Sequence, residues 1–159
     1  MPKEKYDFAG WVTKNDTRCS DGVVIKHGAF KDNDQKTVPL VWNHNHSEPT
    51  NVLGHVMLHN DEKGVYGYGY FNETDEAKHA KELIKHGDIS AMSIGANRIK
   101  KQGQNVIHGM IYEVSLVLRG ANPGALIETV MAHSDDSVET DKAIIYTGNL
   151  IHSADDILE

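Results

Sequence analysis

The run Val-Ile-His-Gly-Met-Ile-Tyr-Glu-Val-Ser-Leu-Val-Leu-Arg, residues 106–119, constrains this chain more than any other. It is the longest extended segment and the most hydrophobic one, rich in the branched side chains that suit a strand. Alternation places Ile111, Glu113, Ser115 and Val117 on one face, and Tyr112, Val114, Leu116 and Leu118 on the other. A carboxylate in such company is costly unless something positive or hydrogen-bonding meets it. Two readings follow. Either the Glu113 face is solvated, or Glu113 serves as the acceptor for an imidazole.

The rest of the chain is largely extended as well. Residues 5–13 and 23–30 read as strands separated by the turn-forming "NDTRCSDG", and "TVPLVWN" (37–43) reads as a strand starting near Pro39. Segments 52–59 and 64–71 form a hairpin, with Tyr66, Tyr68 and Tyr70 opposite Val65, Gly67, Gly69 and Phe71. The glycine side leaves room for another backbone or a helix. Residues 75–86 are predicted as a helix. Ala77, Ala80, Leu83 and Ile84 share one stripe, Thr74 caps the start, and Gly87 stops the end. Residues 89–99 return as a strand, 125–132 are predicted as a short helix, and 143–151 are apolar again, as a strand or a bound segment. The expected architecture is α+β: a mostly antiparallel closed β-barrel of six or seven strands with helices packed outside.

A length of 159 residues suits one domain, expected over 1–132, followed by an acidic tail or linker over 133–159. Residues 1–125 carry 15 acidic and 15 basic side chains, whereas 126–159 carry eight acids against Lys142 alone. A neutral body with an acidic end gives no footprint for phosphate backbones, so nucleic acid is not an expected partner. No 18-residue apolar run and no signal-like N-terminus occur, so neither a membrane span nor a signal peptide is expected. Cys19 is the single cysteine and is read as inert.

Candidate chemistry is spread along the sequence. His44 and His46 lie where the 37–43 strand ends and a side chain can reach a cleft; either can serve as a base. His27, His79, His86, His133 and His152 read as surface residues. In "ISAMSIGA" (89–96) Ser93 has Ala91 two before it and Gly95 two after, a partial match to the small-residue setting of a nucleophile. The glycine-rich turn "RGANPGA" (119–125) can present backbone N–H groups to an oxyanion, or be an ordinary turn. A metal-dependent hydrolase or nuclease using His44, His46 and His55 is a separate possibility, although no acidic ligand cluster accompanies them.

Taken in order, "FAGWVT", "DGVVIKHGAF", "VPLVWNHN…EPTNVLGHV", "KELIKHGDISAMSIGA" and "EVSLVLRGANPGA" resemble the tailed-phage prohead (capsid maturation) proteases, whose fold is similar to that of herpesvirus assemblin. The resemblance covers roughly residues 6–130. It implies a serine endopeptidase with His44 as base, Ser93 as nucleophile and Glu113 as third member, His46 being the alternative base. Ser90 would then be scaffold, and the backbone of Gly120 and Ala121 the oxyanion site. It also implies no cofactor or metal and a place inside the immature capsid in the host cytoplasm. The implied substrates are the major capsid protein, its scaffolding segment and the protease itself, with a homodimer as one route to activation. A scaffold-binding module that has kept the fold without catalysis is the remaining alternative.

Overall fold

The computed structural model describes residues 5–132 and the strand 142–145. Nine strands and one α-helix occur among the described residues: β1 (Phe8–Lys14), β2 (Val24–Ile25), β3 (Thr37–Trp42), β4 (Val52–Asn60), β5 (Gly64–Phe71), α1 (Asp75–His86), β6 (Ala91–Gln102), β7 (Asn105–Val117), β8 (Ile127–Ala132) and β9 (Lys142–Ile145). No helix among them is long and apolar enough to cross a membrane.

Helix α1 forms for the reasons its sequence gives. Thr74 Oγ1 accepts the Ala77 N–H at 3.2 Å, satisfying a donor that has no partner within the helix. Gly87 adopts φ 91°, and its N–H reaches the Ile84 carbonyl while that of Asp88 reaches Leu83, a Schellman ending. Ala77, Ala80 and Ile84 are buried in the same apolar core as Phe8, Leu40, Val56, Met92, Val114 and Leu116. Burial of Ile84 alone contributes about 2 kcal/mol.

The sheet runs β2-β7-β3-β4-β5-β1-β8-β9, with β6 also paired to β7. The β4–β5 hairpin has its expected register, from Gly54 opposite Phe71 to Asn60 opposite Val65. The glycine side of β5 is filled by side chains rather than by backbone or a helix. The Phe8 ring lies where a Cβ on Gly69 would be, and Val12 and Val56 crowd Gly67.

Several expectations are corrected. The fold is mostly β with one helix, and the closed antiparallel barrel of six or seven strands is not what forms. The sheet is mixed, because β2 and β3 both pair with β7 in parallel. It is also open: only an isolated bridge, Ala91 to Leu126, joins the start of β6 to the segment before β8. Residues 127–132 are a strand, not a helix, since β1 and β9 supply ladders on its two sides. Of 23–30 only Val24–Ile25 joins the sheet, and the chain then enters a 3₁₀ turn at Lys31–Asn33. Strand β9 falls in the segment expected to be a tail; the remainder of 133–159 lies outside the described residues.

Candidate active site

Strand β7 is the platform. Near its end it is flanked by β3 and β6, with Ser115 opposite both Val41 and Ser93. On the face it shares with Ser115, Glu113 is only 2% exposed. The solvated-face reading of Glu113 is therefore excluded. The simple alternation also fails just before it. Gly95 pairs with Glu113 but Ala96 pairs with Ile111, so Tyr112 is the extra residue of a β-bulge. The slip puts Ile111 into the core and leaves Tyr112 exposed, its ring edge-on to His46. Asn33 supports the irregular stretch: its side-chain amide donates to the Ile111 carbonyl at 3.0 Å and accepts the Ile111 N–H at 2.8 Å.

Strand β3 runs parallel to β7 and delivers the histidine. Asn43 N–H donates to Leu116 O at 2.9 Å, and the chain then turns through two successive left-handed residues, Asn43 (φ 51°) and His44 (φ 56°). Such conformations cost about 1 kcal/mol or more for a residue with a Cβ, so the surrounding contacts must hold them. They do so by hydrogen bonds. Asn45 N–H donates to Trp42 O, and His44 N–H donates to Ser115 Oγ, both at 2.9 Å.

The three candidate side chains meet here. His44 Nε2 is 2.9 Å from Ser93 Oγ, and His44 Nδ1 contacts Glu113 Oε2. A carboxylate accepts only, so Nδ1 carries the proton and Nε2 is left as an acceptor facing the serine hydroxyl. The other carboxylate oxygen, Oε1, accepts from Ser115 Oγ at 2.7 Å. A buried carboxylate with both oxygens engaged escapes the cost of an unpartnered one. Gly95 provides the space, because a Cβ there would run into the Glu113 carboxylate. The small residue two after Ser93 thus accommodates the acid as well as keeping the serine accessible.

Other candidates fall into place around this chain. His46 Nε2 stands 4.0 Å from Glu113 Oε2 and its ring faces Tyr112; the imidazole within hydrogen-bond distance of Ser93 is that of His44. Ser90 is buried, and its carbonyl accepts the Ile127 N–H. Gly120 lies against the Met92 carbonyl, one residue before Ser93, with no room for a Cβ. Ala121 O accepts from Ser20 N–H, and the buried Asn122 pins the turn through Thr13 Oγ1 at 3.0 Å and Lys14 O at 2.8 Å. His55 stacks on Tyr70 in the β4–β5 hairpin. Among the described residues no three His, Cys, Asp or Glu side chains converge as a metal would require. His27, His79 and His86 are exposed, and His133 and His152 lie outside the described residues. Cys19 is buried, and burial, helped by Asp21, pushes its thiol up from the ordinary range, which disfavours the thiolate.

A family model described as caudovirus prohead serine protease matches residues 4–140. The chain belongs to that family. Among solved structures, KSHV protease in complex with a hexapeptide phosphonate inhibitor is similar in fold to this chain, with a TM-score of 0.50 at 13% identity. The match covers 79% of this chain and 64% of that one, so the chain spans a little under two thirds of the length of the viral enzyme. No curated protein matches it.

Sequence reasoning missed one residue of this candidate site. Ser115 touches both Glu113 and the His44 main chain, yet it reads as an unremarked small residue in a strand. The available signal was its position two after Glu113, on the same face.

Proposed function

We propose that this chain is a capsid-maturation serine endopeptidase whose peptide-bond hydrolysis is carried by Ser93, His44 and Glu113. The observation behind this reading is the continuous hydrogen-bonded path from Ser93 Oγ through both imidazole nitrogens of His44 to the buried Glu113, in a chain of a serine protease family. Ser93 Oγ attacks the scissile carbonyl carbon while His44 Nε2 takes its proton. Nε2 then returns the proton to the leaving amine, and water repeats the sequence to free the acyl group. Glu113 keeps the Nδ1–H tautomer and stabilises the imidazolium. Backbone N–H groups at Gly120 and Ala121 hold the oxyanion, supported by the close approach of that turn to Met92.

The substrates proposed are the scaffolding part of the major capsid protein and the protease itself, inside the immature shell in the host cytoplasm. An enzyme active before assembly would destroy its own building blocks, so packing inside the shell or dimerisation is the proposed trigger. Residues 1–132 are the proposed protease domain, and the acidic 133–159 the segment that is self-cleaved or docks to scaffold. The short distances among the three side chains favour catalysis over a binding-only module. The engagement of the His55 ring in stacking on Tyr70 disfavours the metal reading.

Co-expression with the cognate capsid protein tests this. Wild type is expected to trim the capsid protein, Ser93→Ala to fold and leave it whole, and a chelator to change nothing. An unchanged cleavage pattern in the mutant would refute the assignment.

A further inference from the structure

Two contacts, His44–Ser93 and His44–Glu113, join the three side chains to one another, and three more belong to Ser115. Its side chain is fully buried, at 0% exposure. Its hydroxyl donates to Glu113 Oε1 at 2.7 Å and accepts the His44 N–H at 2.9 Å, and the same oxygen lies 3.3 Å from His44 Nδ1. One hydroxyl has one proton to give. Since that proton goes to Glu113, and Nδ1 gives its own to Oε2, the bonds form a closed ring. It runs from the His44 main chain to Ser115, on to one carboxylate oxygen, and from the other back to the His44 ring.

The register makes the position matter. On β7, Ser115 stands directly opposite Ser93 on β6 and beside Val41 on β3, three residues before the histidine. It is thus the point at which the strand bearing the nucleophile and the strand bearing the base are measured against each other. The base is carried on two successive left-handed residues, a turn that needs an external anchor, and Ser115 Oγ supplies that anchor. The carboxylate has two rotatable bonds beyond Cβ, and fixing Oε1 leaves Oε2 aimed at Nδ1.

We infer that Ser115 is a positioning residue of the active site, holding the Glu113 carboxylate and the His44 turn so that Nε2 faces Ser93. The inference rests on the Ser93–His44–Glu113 reading above. It assigns Ser115 no contact with substrate. Its loss would leave the nucleophile and base present but set at the wrong distance, and a misplacement near 1 Å costs roughly a hundredfold in rate.

The test is the rate of labelling by a fluorophosphonate, across a range of reagent concentrations, on the full chain both free and assembled with its capsid protein. For Ser115→Ala the maximal labelling rate is expected to fall roughly a hundredfold, with the half-saturating concentration changed by no more than about twofold. In proton NMR of the labelled imidazoles, the His44 Nδ1–H signal is expected to move or broaden, which a loss of general stability would not cause. If Ser115→Ala does not fold, Ser115→Cys fills the site with a weaker donor and is expected to show the same loss of maximal rate. Wild-type labelling in a folded Ser115 variant, with Ser93→Ala unlabelled, overturns the role of Ser115 and leaves the three-residue reading standing. Labelling that persists in Ser93→Ala overturns that reading instead.

Discussion

Helix α1 and the turn at Asn43–His44 are both short segments that leave the sheet, and they are built on opposite terms. In α1 every local preference agrees with the fold: the Thr74 cap, the apolar stripe, and the left-handed residue where glycine makes it free of strain. At Asn43–His44 the left-handed residues carry side chains, and the adjoining strand is bulged at Tyr112 and buries a carboxylate at Glu113. Each departure there is held by a hydrogen bond from elsewhere: Ser115 to the turn, Asn33 to the bulge, His44 to the acid. The difference teaches where to look for function in this molecule. The helix stabilises, while the irregular corner stores conformations that only a completed site can hold.

The comparison breaks if substitutions in the two regions act alike. The largest effect is expected at Glu113. Replacing it with Gln keeps the shape but alters the proton arrangement around Nδ1, and turnover should fall about ten-thousandfold with folding retained. Next comes Gly95→Ala, whose Cβ meets the Glu113 carboxylate. It should cost about 1–3 kcal/mol in denaturant melts and lower the activity of the folded fraction as well. Asn33→Ala removes both hydrogen bonds to Ile111 in a buried setting, and a loss of about 2 kcal/mol is expected in the same melts, with no loss of activity per folded molecule comparable to that of Gly95→Ala. Smallest is Thr74→Ala, which should cost about 1 kcal/mol and leave activity per folded molecule unchanged. Equal effects of Thr74→Ala and Gly95→Ala on that activity would erase the distinction between the two regions.

The same contrast explains what the sequence could reveal. The α1 boundaries and the β4–β5 hairpin are legible because their signals are local: a cap, a period, a turn between alternating runs. Glu113 is legible because a charge inside an apolar strand needs a partner wherever the strand lies. The bulge at Tyr112 is not, since the slip exists only in the pairing of β7 with β6 and moves Ile111 and Tyr112 to unexpected faces. Parallel pairing of β3 with β7 joins residues more than 70 positions apart, such as Leu40 and Val114, and no local pattern reports it. Residues 127–132 fail for a related reason: a short segment takes the structure its neighbours impose, and here the neighbours are strands. Ser115 is hidden because a serine in a strand signals nothing until its two partners are known.

The central claim is that Ser93 is made nucleophilic by the imidazole beside it. Mapping the adduct by peptide mass spectrometry, after exposing assembled particles to a fluorophosphonate, tests this most directly. The expected result is modification of Ser93 in the wild type and none in His44→Ala, with Ser90 and Ser115 unmodified in both. An adduct on another serine, or undiminished modification of Ser93 without His44, would contradict it.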